Sequence, residues 1–246
     1  IPANAIIFNA HNSNKFLGAK SGEIWSLLLS PEHTAGLNVL IRAIELGTKP
    51  VTIDQAADYT AIVPTQLYRA LNGDEKLLKH LQGCKAVLVG GAATENELLD
   101  AAKKNGISCV TTYGMTETSG GCVYNGVPLP GVEIKIDGTI QIRGEMLARV
   151  PLQNGFFVTN DLGYLENGKL FVTGRADDVI ISGGKNISLS AVENLLGTEF
   201  AALGRENDEW GTALIIATTS KEEDFEIQKK LSAEFGVKAL QIMRIK

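Results

Sequence analysis

The stretch Thr112-Tyr113-Gly114-Met115-Thr116-Glu117-Thr118 gathers hydroxyls, a ring and a carboxylate around one glycine, directly after the apolar run at residues 107–110. These side chains suit a nucleotide. Tyr113 offers a flat face to a base, Thr116 a hydroxyl to a phosphate oxygen, and Glu117 a hard oxygen ligand to Mg²⁺. The same residues also make an ordinary polar turn about Gly114. Two other clusters have comparable chemistry. Gly90-Gly91-Ala92-Ala93-Thr94 ends an apolar run, and paired glycines there permit close approach of backbone to a ligand. Thr159-Asn160-Asp161 precedes Gly174-Arg175-Ala176-Asp177-Asp178 and Ser182-Gly183-Gly184-Lys185-Asn186-Ile187. An aspartate can bridge the vicinal hydroxyls of a ribose, and an arginine can reach ribose or phosphate with its fork of donors. Taken singly, each is more often a surface charge.

The elements that position these residues are readable in outline. Residues 107–110 emerge from a helical stretch at 97–105 and read as a parallel strand, which puts the first cluster at its carboxyl end, where open α/β sheets bind ligands. Residues 86–89 read as a buried strand running into Gly90 and Gly91. Thr94 with Glu97 three residues on also fits a helix N-cap with a capping box. A helix is expected over residues 36–46, with Leu37, Leu40, Ile41 and Ile44 as its apolar face and Gly47 closing it. Arg42 lies off that stripe, free to reach a ligand or to sit on the surface beside Glu45. Residues 164–172 read as a hairpin turning at Asn167-Gly168.

Composition sets the bounds. The chain has 246 residues, 44% of them hydrophobic, and a net charge of −5, enough for one large or two modest globular domains. No basic stripe points to nucleic acid, and no apolar run is long enough to cross a bilayer. The 3 cysteines are odd in number, and two lie on or beside expected strands, which fits reduced thiols in a cytoplasmic protein. The histidines and cysteines show no metal-site spacing.

In this order, the motifs resemble the adenylate-forming superfamily of acyl-CoA synthetases, luciferases and peptide-synthetase adenylation domains. The resemblance runs from His33 to Ile187 and is carried by Gly90-Gly91-Ala92, Tyr113-Gly114-Met115-Thr116-Glu117, Asp161, Gly174-Arg175-Ala176-Asp177-Asp178 and Ser182-Gly183-Gly184-Lys185-Asn186-Ile187. It implies an α/β fold with a large N-terminal domain at residues 1–176, made of an α/β region at 1–120 and a β-rich, barrel-like region at 121–176. A small mobile α+β domain would follow at 177–246, hinged at Asp177, with strands near 213–218 and 239–245 flanking a helix at about 222–235. Gly90, Gly91, Ala92, Thr112, Tyr113, Gly114 and Met115 would hold the nucleotide. Thr116 would contact the α-phosphate, Glu117 the Mg²⁺, and Asp161 and Arg175 the ribose or phosphate. His33 would stand at the entrance for the acid, with Gly114 and Thr118 near it, and Gly183-Gly184 would line the path of CoA.

Within the superfamily, Ser30-Pro31-Glu32-His33-Thr34-Ala35-Gly36 and Ala61-Ile62-Val63-Pro64-Thr65-Gln66-Leu67 are similar to the subfamily that activates o-succinylbenzoate in menaquinone biosynthesis. There, an arginine at the spacing of Arg42 is associated with the succinyl-side carboxylate, which a guanidinium fork suits. The implied reactants are ATP with Mg²⁺, a carboxylic acid and CoA. Oligomeric state stays open, a homodimer included. Other aryl- or acyl-CoA synthetases and lone adenylation domains share these motifs. The family's Ser/Thr/Gly-rich phosphate loop is expected upstream of His33 and its Gly-Lys loop downstream of residues 242–246, and neither run is found. Residues 149–153 and 193–200 also look short for the family. Were those elements truly absent, the chain would bind nucleotide or acyl group without turnover. Lys246 does not stand in for the family's lysine.

Overall fold

The apolar runs of the sequence form the middle of a six-stranded sheet. The structure is a computed structural model and describes residues 1–245, so Lys246 lies outside the described residues. It divides into two compact units, the first comprising Ile1–Asp137, Gln141–Val158 and Leu165–Phe171, the second Gly138–Ile140, Thr159–Tyr164 and the residues from Val172.

The first unit runs α1 (Ala3–Leu17), β1 (Trp25–Ser26), α2 (Thr34–Glu45), β2 (Tyr59–Ile62), α3 (Pro64–Leu71), α4 (Glu75–Gly83), β3 (Ala86–Val89), α5 (Asn96–Lys104), β4 (Cys109–Met115), β5 (Gly120–Tyr124) and β6 (Val127–Pro128). The sheet order follows the chain, with β1 to β4 parallel and β5 and β6 antiparallel. Strands β2 and β3 are buried at every residue, as parallel strands covered on both faces must be. One face packs Trp25, Val39, Ala43, Tyr59, Leu88 and Tyr124; the other packs Ile62, Leu67, Leu81, Val87 and Ile107. The helices start where local chemistry allows. Pro64 opens α3 while the Gln66 side chain returns to the Val63 N–H, and Asp74 caps α4 through the Leu77 N–H.

Three local expectations are corrected. Helix α5 begins after Glu95, so Thr94 is not its cap. Strand β4 spans Cys109–Met115 and not residues 107–110, so the Thr112 to Met115 motif is itself in the strand, although it lies past the end of the parallel pairing at Thr111 as expected. Helix α2 buries Gly36, Asn38, Val39, Arg42 and Ala43, while Leu37 and Ile44 face outward, Ile44 being 71% exposed. Its buried stripe is polar at two places because the neighbouring wall is polar, as described below.

The β-rich stretch forms a three-stranded sheet of β7 (Glu133–Asp137), β8 (Thr139–Arg143) and β9 (Phe157–Val158), and a hairpin of β10 (Asp161–Glu166) and β11 (Lys169–Arg175). Asn167 and Gly168 both have φ > 0, at 50° and 75°, as the tight two-residue turn requires. The second unit adds β12 (Val179–Ser182), β13 (Lys185–Ser188), α6 (Leu189–Leu196), β14 (Phe200–Asn207), β15 (Gly211–Thr218), α7 (Asp224–Glu234) and β16 (Gln241–Arg244). Its five-stranded sheet runs β13-β12-β15-β14 with β16 on β15, over a core of Ile187, Val192, Leu214, Ile216, Ile227 and Leu231. Among the described residues no helix is long and apolar enough to cross a membrane. All three cysteines are free, and burial pushes the Cys84 and Cys109 thiols up to about 11 and the Cys122 thiol to about 12.

Candidate active site

A cavity of about 580 Å³ opens in the first unit at the carboxyl ends of β2 and β3. It is lined by His33 and Thr34 at the start of α2, Asn38 and Arg42 further along it, Gly90 and Gly91 after β3, Thr112, Gly114, Met115 and Thr116 from β4 onward, and Gly121 and Tyr124 of β5. That size suits a small-molecule site.

Strand β4 changes partner here. It pairs parallel with β3 through Thr111 and antiparallel with β5 from Thr112, with a register shift between Tyr113 and Gly114. Such a bulge redirects the side chains that follow it. Gly114 has no room for a side chain, since a Cβ would lie 2.2 Å from the Gly120 carbonyl oxygen. Gly90 is equally close to the motif: a Cβ there would meet the Thr112 hydroxyl at 2.1 Å. The two glycine clusters of the sequence therefore form one surface.

Thr116, Glu117 and Thr118 make a 3-10 turn after β4. Thr118, expected at the substrate, is fully buried; its hydroxyl accepts from the Met115 N–H and reaches the Met115 and Gly120 carbonyls. Its part is to shape the turn that presents Thr116. The Thr116 side chain is exposed at the cavity, 3.5 Å from the Thr34 hydroxyl. Glu117 is half-buried, and its backbone carbonyl accepts from Ala148. Ala92, Tyr113 and Glu117 lie outside the cavity lining. His33 is exposed at the rim, where its backbone carbonyl accepts the first helical bond, from Leu37.

Arg42 is the buried charge of the cavity wall, which exposed Glu32 also lines. It is 3% exposed, and its Nη2 donates to the Tyr124 hydroxyl at 3.0 Å. The guanidinium lies 5.1 Å from the centre of the Trp25 ring. Its Nε has no partner, and it forms no ion pair with any described carboxylate. Burial lowers its pKa, while Tyr124 and Glu45 act the other way. A cation removed from water with no carboxylate in contact is costly unless an anion joins it.

Sequence reasoning missed the polar support around it. The Asn9 side chain donates to the Thr118 and Gly121 carbonyls, and Asn38 donates to the Ser119 carbonyl, so two helices hold the loop after Thr116. Asn9 Oδ1, Asn38 Oδ1 and Ser119 Oγ remain buried and unpartnered, as does Arg42 Nε. The available signal was the polar run in α1, where Asn9, Asn12, Ser13 and Asn14 are all buried.

The second unit brings together three residues chosen separately from the sequence. Arg175 grips Asp177 through Nε at 2.8 Å and Nη2 at 2.7 Å, and its Nη1 reaches Asp161 at 3.3 Å. Asn160 also donates to Asp177, at 3.3 Å. The Arg175 guanidinium holds the Asp177 carboxyl below its usual range and is itself raised by that contact. Gly183 and Gly184 form the turn between β12 and β13, with Gly183 packed on Trp210.

This architecture is that of adenylate-forming enzymes. It superposes at a TM-score of 0.83 on o-succinylbenzoate CoA synthetase (MenE) from Bacillus subtilis in complex with the acyl-adenylate intermediate OSB-AMP, at 24% identity over 99% of this chain and 61% of that one. It also matches ATP-bound MatB from Rhodopseudomonas palustris, with TM-score 0.83 and 19% identity over 98% of this chain and 60% of the other. Residues 6–150 match the AMP-binding enzyme family, and the chain belongs to that family. A probable 2-succinylbenzoate–CoA ligase of Mycobacterium tuberculosis is 37% identical over 88% of this chain, and the 2-succinylbenzoate–CoA ligase of Escherichia coli is 32% identical over 73% of it. The chain spans 66% of the first relative's length and 45% of the second's.

Proposed function

We propose that the protein is an AMP-forming acid–thiol ligase that converts 2-succinylbenzoate, an aromatic dicarboxylic acid, to its CoA thioester in menaquinone biosynthesis. The observation that carries this reading is the buried Arg42 guanidinium, with no carboxylate in contact, in the wall of a cavity that Thr112, Gly114, Met115 and Thr116 also line. A monocarboxylic acid uses its single carboxylate in the reaction and leaves Arg42 unpaired. A second carboxylate supplies the missing countercharge. The names of the relatives agree with that chemistry.

In the first half-reaction the carboxylate distant from Arg42 attacks the α-phosphorus of ATP. A carboxylate O–P bond forms, the bond to the β-phosphate's bridging oxygen breaks, and pyrophosphate leaves. Gly90 and Gly91 give the nucleotide close approach to backbone, the Thr116 hydroxyl meets an α-phosphate oxygen, and His33 stands at the rim beside the acid. Among the described residues no group of three His, Cys, Asp or Glu forms a metal site. A single carboxylate plus phosphate oxygens is the usual mode for Mg²⁺, and half-buried Glu117 beside Thr116 fits it. When bound, the ion would offset charge on the phosphates. Asp161 and Arg175 would hold the ribose.

In the second half-reaction the CoA sulfur attacks the acyl carbon, AMP leaves with the electron pair of the broken anhydride bond, and the thiol proton goes to solvent. Asp177 serves as the hinge between the steps, with Gly183 and Gly184 beside the thiol's path. Free thiols and the need for ATP and CoA fit a cytoplasmic setting. The test is pyrophosphate release and thioester formation with 2-succinylbenzoate, benzoate and fatty acids. Preference for 2-succinylbenzoate is expected. Equal use of benzoate would remove the substrate assignment, and binding of an acyl-adenylate analogue without turnover would remove the activity. Asp177→Pro is expected to spare pyrophosphate release and block the thioester; equal loss of both would end the hinge assignment.

A further inference from the structure

Helix α1 buries the wrong kind of face for a helix on a sheet. Ser13 and Asn14 are 0% and 4% exposed, in a position where leucines would pack better. Their partners explain the choice. The Ser13 hydroxyl lies 2.7 Å from the Tyr124 hydroxyl, which accepts from Arg42 Nη2 at 3.0 Å. A guanidinium only donates, so the buried phenol's own proton has Ser13 Oγ as its acceptor, and the chain of bonds runs Arg42 to Tyr124 to Ser13. Asn14 takes the other side. Its Oδ1 accepts from the Trp25 indole N–H at 3.2 Å, and its Nδ2 donates to the Arg42 carbonyl at 3.1 Å and to Glu45 at 2.7 Å. Trp25 then presents its ring to the guanidinium, within the range of a cation–π contact. Glu45, held by Asn14 and by His11 at 2.5 Å, forms no ion pair with the guanidinium and acts on it only at longer range.

One edge of the guanidinium is thus tied, one face is covered, and the nearest acidic side chain is occupied elsewhere. Among the described residues Nη2 alone of the guanidinium nitrogens is hydrogen-bonded, and Nε is buried without a partner. We propose that Tyr124 backed by Ser13, and Trp25 backed by Asn14, are positioning residues that fix the plane of Arg42 for the second carboxylate of the acid and so set selectivity for dicarboxylic over monocarboxylic aromatic acids. This rests on the ligase reading above and extends it from the arginine to the buried residues behind it. None of them reaches the reacting atoms.

Tyr124→Phe removes the hydroxyl and keeps the ring, including its edge contact with Phe16. Pyrophosphate release is measured with 2-succinylbenzoate, and benzoate is read as substrate or as competitive inhibitor. Loss of a hydrogen bond to a charged group predicts that KM for 2-succinylbenzoate rises about tenfold, with kcat within about twofold and the constants for ATP and benzoate unchanged. Ser13→Ala, which introduces no bulk, should shift the same ratio in the same direction by a smaller factor, and it serves if Tyr124→Phe does not fold. An unchanged ratio of the two acids, or equal weakening of both, overturns the proposal while leaving the ligase reading intact. Failure of the unaltered protein to prefer 2-succinylbenzoate overturns both.

Discussion

The two ends of the parallel sheet in the first unit treat charge in opposite ways. At the amino ends of β1, β2 and β3, Glu23, Asp58 and Lys85 precede the strands and form a closed set. Lys85 Nζ lies 2.5 Å from Glu23 and 2.8 Å from Asp58, Tyr59 donates to Glu23, and the Lys20 and Ile24 N–H groups occupy the remaining carboxylate oxygens. At the carboxyl ends, Arg42 is more deeply buried yet pairs with no carboxylate, and its Nε has no partner. A fully partnered cluster contributes to stability and asks for nothing further. An incomplete one costs stability and is completed by a ligand.

The largest expected effect breaks the incomplete end. Arg42→Met should lower kcat/KM for 2-succinylbenzoate by about a hundredfold or more, since a buried charge pair typically carries roughly 2–5 kcal/mol of binding. Its melting temperature should stay level or rise, because an apolar group replaces an uncompensated buried cation. Calorimetry beside the pyrophosphate assay reads both. A large fall in melting temperature without loss of acid selectivity would make Arg42 a structural residue.

Gly114→Ala comes next. With the Gly120 carbonyl 2.2 Å from where the methyl carbon must go, β4 and β5 have to part. Overpacking of this kind costs about 1–3 kcal/mol, and it displaces Thr116 as well. Chemical denaturation should record the loss, and ATP-dependent pyrophosphate release should fall with both acids alike. That pattern separates damage to the nucleotide side from the acid-selective loss at Arg42.

The same contrast explains how much could be read in advance. The Thr112 to Thr118 chemistry was legible because no core needs that mixture of side chains, and the hairpin at Asn167-Gly168 because only a few residues accept positive φ in sequence. The extent of α2 was legible, but its orientation was not. Counting apolar residues chose Leu37 and Ile44, whereas the helix turns Asn38 and Arg42 inward toward polar partners that are distant in sequence. Helix α1 escaped notice for the same reason: Asn9, Ser13 and Asn14 look like surface residues until the carbonyls and the phenol they serve are in place. In the second unit, Asp161, Arg175 and Asp177 were each identifiable, but their mutual contact depends on the hairpin closing.

The smallest effect tests the closed end. Glu23 is held down to about 2 from an ordinary value of 4.5, chiefly by the Lys85 hydrogen bond and also by the Lys20 N–H. A carboxylate with a depressed folded-state pKa adds stability above its unfolded value, and that stability disappears as pH falls through the folded value. The difference between Glu23→Gln and the unaltered protein should therefore be full at pH 7 and should shrink from about pH 4.5 toward pH 2. Because Lys85 is 56% exposed and screened by solvent, the full difference should be only about 2–4 °C in melting temperature for a chain of this length. Acid selectivity should not move, since the cluster lies at the other end of the strands from the cavity. If the variant altered selectivity, or if its melting difference held constant down to pH 3, the amino-end cluster would not be the closed, purely stabilising counterpart of Arg42.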